Sequence, residues 1–203
     1  MNQSDFFSQH LAGVPVMGIF RGLGPDETVA LCHRAWEAGV TLVEVPVQAP
    51  EAMPSLRAAI DAARSAGKFV GAGTVVTLEQ LRDVHAAGAS FTVAPGFDSA
   101  VAAEARKIGL PHLPGVATST EIGQALSAGY AWLKAFPAAQ LGPAWIKAQL
   151  APFPRVKFVA TGGMTSQNAQ SFLDAGCTAV AFGSVLADPD SLDAISALRR
   201  AGA

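Results

Sequence analysis

Two repeating signals predict an α/β chain whose strands and helices alternate and close into a barrel. Short apolar runs recur along the 203 residues, each followed by an Ala-rich amphipathic stretch. Five of those stretches end in the same dipeptide: Ala38-Gly39, Ala66-Gly67, Ala87-Gly88, Ala128-Gly129 and Ala175-Gly176. Glycine just past a helix takes the left-handed conformation that satisfies the last free carbonyls. A strand run soon follows each glycine. Apolar strands separated by helices imply a parallel sheet covered by helices. About eight such units, with no linker, low-complexity stretch or second domain within 1–203, fit a single (β/α)8 TIM barrel. A doubly wound open sheet is the alternative. Its first turn often carries G-x-G-x-x-G, which is missing after the first apolar run here.

The elements follow in order. A short extra helix is expected over 5–11, ahead of the repeat. Residues 14–20 form the first strand, and Pro25, Asp26 and Glu27 open a helix that ends near Gly39. Strand 41–47 precedes helix 50–66. Strand 69–72 precedes helix 77–87, which opens with Thr77 and Gln80 at capping-box spacing. Strand 91–94 precedes helix 99–108, and the short strand 112–114 precedes helix 119–127. Strand 131–135 precedes helix 143–150, and strand 157–160 precedes helix 166–175. Strand 179–182 precedes a last helix over 188–200.

Composition bounds the function. Half of the residues are hydrophobic and 15% are charged, which suits a compact, largely buried α/β enzyme. A net charge of −2 leaves no electrostatic footprint for nucleic acid or an anionic membrane. No apolar run reaches the roughly 20 residues of a membrane span. The first residues lack the basic-then-apolar order of a signal peptide. Cys32 and Cys177 each sit in an apolar segment and read as reduced thiols, so a cytoplasmic location is expected. The four histidines are dispersed without metal-ligand spacing, so neither a metal nor another cofactor is expected.

One residue breaks the apolar pattern most sharply. Lys134 lies inside Ala131-Trp132-Leu133-Lys134-Ala135-Phe136-Pro137, a run that reads as a buried strand. Burial strips an ammonium of hydration and pulls its pKa down from about 10.4. The free amine that results forms a Schiff base with a carbonyl substrate. The plainer reading is a lysine at a strand end whose ammonium reaches solvent. Glu44, in Leu42-Val43-Glu44-Val45-Pro46, is an equally misplaced carboxylate. It reads either as a structural ion pair with Lys134 or as a general acid/base whose pKa is raised by burial.

In such a barrel, function collects at the carboxyl ends of the strands. Those ends carry Arg21, Glu44, Thr74, Pro95, Pro114, Lys134, Thr161-Gly162-Gly163 and Gly183-Ser184. Loops after the last two strands often bind phosphate through bare backbone N–H groups, which fits Gly162, Gly163, Gly183 and Ser184. Arg21 is suited to a carboxylate, or is a solvated loop arginine. Thr74 binds substrate or caps a turn. Lys157 begins its strand and reads as structural.

These residues together resemble the 2-keto-3-deoxy-6-phosphogluconate/4-hydroxy-2-oxoglutarate aldolase family over nearly the whole chain. The motifs that carry the resemblance are Val43-Glu44-Val45, Gly71-Ala72-Gly73-Thr74-Val75, Ala94-Pro95-Gly96, Leu113-Pro114-Gly115-Val116-Ala117-Thr118, Leu133-Lys134-Ala135-Phe136-Pro137, Ala160-Thr161-Gly162-Gly163 and Gly183-Ser184. The resemblance implies a Schiff base on Lys134 and proton transfer by Glu44. It also implies a pocket lined by Thr74, Phe136 and Thr161, glycine loops that hold phosphate, and a homotrimer without a metal. The gluconate-type enzymes have an arginine four residues after the catalytic Glu, where this chain has Gln48. With Ile19-Phe20-Arg21-Gly22 after the first strand, the pattern is closer to the 2-dehydro-3-deoxy-6-phosphogalactonate branch. That resemblance makes Arg21 the carboxylate-binding residue. The implied substrate is a phosphorylated keto-deoxy sugar acid, cleaved to pyruvate and D-glyceraldehyde 3-phosphate. Cleavage of the gluconate epimer or of 4-hydroxy-2-oxoglutarate is the alternative, and a non-catalytic phosphosugar-binding barrel is a remote one.

Overall fold

The computed structural model describes residues 3–183 and residue 198. Helix α1 (Gln3–His10) precedes the repeat. Then follow β1 (Val16–Ile19), α2 (Pro25–Glu37), β2 (Leu42–Pro46), a 3-10 turn (Pro50–Ala52) leading into α3 (Met53–Ala66), β3 (Phe69–Gly73) and α4 (Leu78–Ala87). The second half runs β4 (Thr92–Val93), α5 (Ser99–Lys107), β5 (His112–Leu113), β6 (Gly115–Val116), α6 (Ser119–Ser127), β7 (Trp132–Ala135), α7 (Ala138–Leu150), β8 (Lys157–Thr161), α8 (Ala169–Asp174) and β9 (Ala179–Phe182). Ser184 and the expected helix over 188–200 lie outside the described residues.

Every pairing is parallel, and the sheet order is β5-β4-β3-β2-β1-β9-β8-β7-β6. Its two outer members, β5 and β6, are separated in sequence by Pro114 alone. They are two halves of the expected fifth strand, so the sheet closes on itself as a barrel, and the open-sheet alternative is excluded. Proline has no N–H to donate, which splits the strand at that point. Its carbonyl still accepts from the Lys134 N–H at 2.9 Å, and the Gly115 N–H donates to Gly96 O at 3.2 Å.

The five Ala-Gly helix ends hold, with positive φ at Gly39, Gly67, Gly88, Gly129 and Gly176. The Thr77–Gln80 capping box forms with both of its hydrogen bonds. A second capping box, Thr118–Glu121, carries the same spacing. The clearest difference from expectation is α7, which starts at Ala138 rather than 143. Gly142 (φ 79°, ψ 160°) breaks it into a first turn and the helix that Pro143 opens.

Strand alternation sorts side chains into two cores. Outward residues such as Val43, Val45, Leu133, Phe158 and Val180 pack under the helices. Inward residues such as Met17, Leu42, Trp132, Val159 and Ala179 fill the barrel, joined there by Phe6, Phe7 and Leu11. Helix α1 therefore plugs the amino-terminal end of the barrel. Trp132 Nε1 and Lys157 Nζ both donate to Ser8 Oγ, at 3.3 and 3.0 Å, which ties the plug to β7 and β8. Lys157 is structural, as its strand-start position implies. Among the described residues no helix is long and apolar enough to cross a membrane.

Candidate active site

The period of two along a strand decides where the two misplaced charges go. Leu42 and Trp132 point into the barrel. Glu44 and Lys134 lie two residues further along the same strands, so they occupy the next interior layer, toward the carboxyl ends. Thr161 stands above Val159 on β8 in the same way.

Lys134 is 4% exposed. Its Nζ lies 4.9 Å from the centroid of the Phe136 ring. Burial pushes the amine below the ordinary lysine value, the Glu44 carboxylate opposes that shift, and Arg21 adds to it. Glu44 is 1% exposed. Burial pushes its carboxyl above the ordinary value, against the opposing charges of Lys134 and Arg21. Glu44 Oε2 has no hydrogen-bond partner among the described residues. Among the described residues the salt bridges are on the surface, Arg64–Asp61 and Lys107–Glu104. Glu44 and Lys134 thus interact through space without forming a contact ion pair. A buried amine and a buried carboxylate share one interior layer with no contact ion pair between them among the described residues.

Above Lys134 and Thr161 opens a cleft of about 620 Å³ that brings them together with Arg21, Phe136, Gly162, Gly163 and Gly183; Glu44 is not part of its wall. Its remaining wall is apolar and includes Phe20, Leu23, Leu31 and Met164. Such a cavity, mostly apolar with a few convergent polar groups, is the usual form of a small-molecule site.

Two details shape the rim. At one side, Arg21 Nη1 donates to Gln48 Oε1 at 3.0 Å and Nη2 to Thr74 Oγ1 at 3.4 Å. The loops after β1, β2 and β3 are joined through this guanidinium. Thr74 has φ 59°, a left-handed conformation that costs a β-branched residue about 1–3 kcal/mol. At the other side, Gly162 (φ 96°) lies against the Phe136 ring, where an added Cβ would sit 3.1 Å from two ring carbons. An added Cβ at Gly163 (φ 71°) would come within 2.6 Å of Ala139 Cβ. The first turn of α7 therefore packs directly on the glycine loop, with the Ala139 N–H donating to Gly162 O at 3.0 Å. Asn168 Nδ2 donates to Gly163 O at 2.9 Å from the far side.

Gln48 and Thr74 reach the cleft only through Arg21. Pro95 is placed elsewhere: it lines a separate cavity of about 200 Å³ with Phe97 and His112. Its backbone abuts Gly115, the β6 residue paired with Lys134. Sequence reasoning missed the apolar wall, because Phe20, Leu31 and Met164 read like any core residue. It also missed Asn168, whose Thr165-x-x-Asn168 spacing marks a turn and nothing more.

A sequence model of the KDPG and KHG aldolase family matches residues 8–198. The 2-dehydro-3-deoxy-6-phosphogalactonate aldolase of Escherichia coli (strain K12) is 37% identical over 85% of this chain and 84% of its own. A native KDPGal structure superposes with a TM-score of 0.80 at 35% identity, covering 91% of this chain and 90% of that one. The KDPG aldolase of Legionella pneumophila, solved with pyruvate captured as a covalent carbinolamine, gives a TM-score of 0.83 at 30% identity over 98% of this chain and 96% of that one. The chain is therefore an aldolase, a carbon–carbon lyase, and belongs to the KDPG and KHG aldolase family.

Proposed function

We propose that the protein is a class I aldolase that cleaves 2-dehydro-3-deoxy-6-phosphogalactonate to pyruvate and D-glyceraldehyde 3-phosphate. The observation that carries this reading is the buried Lys134 amine, held below its ordinary pKa beside a carboxylate that does not pair with it. The neutral amine adds to the C2 ketone, and loss of water leaves a protonated imine. Glu44, directly or through one water, takes the proton of the C4 hydroxyl. The C3–C4 bond then breaks, its electron pair moves toward the iminium nitrogen, and the aldehyde leaves. Glu44 returns a proton to C3 of the enamine, and hydrolysis frees pyruvate and Lys134. A raised carboxylate pKa suits a group that both accepts and donates a proton near neutral pH.

The Phe136 face beside Nζ favours the cationic imine. Arg21, on the cleft wall, takes the substrate carboxylate in its planar fork. The Gly162-Gly163 loop and Gly183, with Ser184 beyond the described residues, take the phosphate. Binding at that remote end supplies energy that orients the bond to be cleaved. Thr161 bounds the pocket above Val159.

Two observations favour the galactonate epimer: the relatives of that specificity at 37% and 35% identity, and a neutral Gln48 paired with Arg21. Both cysteines are buried free thiols, which suits a cytoplasmic protein. A homotrimer is the assembly the family resemblance carries, and light scattering at three times the 20.8 kDa chain mass is the expected reading. The substrate assignment is tested by following pyruvate release from both phosphorylated epimers and from 4-hydroxy-2-oxoglutarate. The galactonate epimer is expected to have the highest kcat/KM. A higher value for either competitor overturns the assignment and leaves the aldolase chemistry standing.

A further inference from the structure

Among the described residues nothing donates a hydrogen bond to the buried Oε2 of Glu44, yet the proposed mechanism needs that carboxylate fixed in place. Donors ordinarily hold a buried carboxylate, and they also stabilise its charged form and lower its pKa. Here the neighbouring strand supplies a surface instead. β2 and β3 run in parallel register with Pro46 opposite Gly73. A Cβ on Gly73 would lie 2.7 Å from Glu44 Cδ and 3.1 Å from Oε1, and closer still to Oε2. The carboxylate thus lies across the bare backbone of Gly73. Gly73 is not among the residues with positive φ, so alanine fits its backbone conformation. Glycine inside a strand costs entropy and leaves nothing to pack. At Gly73 it is present for space and not for torsion.

We infer that Gly73 is the positioning residue for Glu44, its missing side chain forming the socket that fixes the carboxylate in the layer it shares with the Lys134 amine. The inference rests on the acid/base role proposed for Glu44. A socket of shape holds the group without a donor to Oε2 among the described residues, so that oxygen remains available to the transferred proton. The charged groups acting on Glu44 are Lys134 on β7 and Arg21 beyond β1, and neither forms a salt bridge with it among the described residues. Gly71, two residues earlier on the same face, serves a different neighbour. Although Gly71 is opposite Glu44 in the register, the first atoms its added Cβ would meet are those of the Phe91 ring, at 2.5 Å.

The test is a double-mutant cycle read in kcat, KM and pH profile. Gly73→Ala is expected to lower kcat by roughly 100-fold, the scale of one general acid/base, with KM little changed. Its acid limb should move to lower pH, because a displaced carboxylate regains water. Pyruvate and borohydride should still label Lys134 in this variant. In a Glu44→Asp background the shorter side chain makes room for the new methyl, so Gly73→Ala should cost less than about threefold there. Gly71→Ala overpacks the barrel as a folding control and should leave the acid limb in place. Equal losses in both backgrounds, or an unmoved acid limb in Gly73→Ala, overturn the inference. Failure to label Lys134 in the unmutated protein would instead overturn the mechanism beneath it.

Discussion

Arg21 and Gln48 are joined by a 3.0 Å hydrogen bond from guanidinium to side-chain carbonyl, linking the loops after β1 and β2 at the rim of the cleft. A second N–H of Arg21 reaches Thr74. The bond orients the guanidinium and leaves it its full charge, since Gln48 brings none of its own. Charge-assisted hydrogen bonds contribute about 1.5–3 kcal/mol each, so Arg21→Ala is expected to raise KM for pyruvate by roughly 10- to 100-fold. Gln48→Ala should raise it less, because the guanidinium remains and only its orientation loosens. Steady-state detritiation of pyruvate at C3 reads both values. An unchanged KM in Arg21→Ala removes Arg21 from carboxylate binding.

The coupling of Glu44 and Lys134 makes a signed pH prediction. Glu44 raises the pKa of the amine, and burial and Arg21 lower it. Glu44→Gln removes the one influence that favours the ammonium. The pH at which pyruvate and borohydride begin to label Lys134 should therefore fall in Glu44→Gln. Arg21→Met removes a lowering influence, and the same threshold should rise. Turnover in Glu44→Gln should drop by roughly 10²- to 10⁴-fold even where labelling persists. Threshold shifts of the opposite sign would show that the two groups do not face one another.

His112 gives a stability prediction away from the cleft. It is 1% exposed, and its Nδ1 lies 2.9 Å from Thr92 Oγ1. Burial holds its pKa down at about 4, against the opposing charge of Asp98. The unfolded chain takes up that proton near 6.5 and the folded one only near 4, so falling pH favours unfolding across that window. Up to roughly 3 kcal/mol of stability is lost between the two values and regained as pH rises. Urea midpoints at several pH values measure it, and His112→Asn should flatten the slope. An equal slope in the variant assigns the acid sensitivity elsewhere.

The barrel plug predicts a change in stability without a change in chemistry. Phe7 is fully buried and packs edge-on to Phe91 and at a tilt to Trp132. Phe7→Ala should cost about 3–5 kcal/mol. Borohydride labelling of Lys134 should persist in the folded fraction, since the plug lies at the opposite end of the barrel. Loss of labelling in protein that remains folded would tie the plug to the site.

Much of this arrangement was legible in sequence because its signals are local. Ala-Gly helix ends and apolar runs gave the βα repeat, and a lysine and a glutamate inside apolar strands marked the interior layer. The rest depends on distant partners. Pro114 splits a strand whose halves complete opposite edges of one sheet, which no local pattern states. Gly142 hides a turn of α7 that forms because Ala139 packs on Gly163. Pro95 looks like the other strand-end residues, yet it lines a neighbouring cavity with Phe97 and His112. Gly73 reads as part of a glycine-rich strand, and its use appears only once Glu44 lies against it.

In the proposed mechanism Lys134 carries the covalent chemistry. Borohydride added with pyruvate, followed by peptide mass analysis, tests it most directly. A single pyruvyl adduct on Lys134 is expected, with loss of both adduct and turnover in Lys134→Ala. Sustained turnover by Lys134→Ala, or an adduct on Lys157 in place of Lys134, would contradict it.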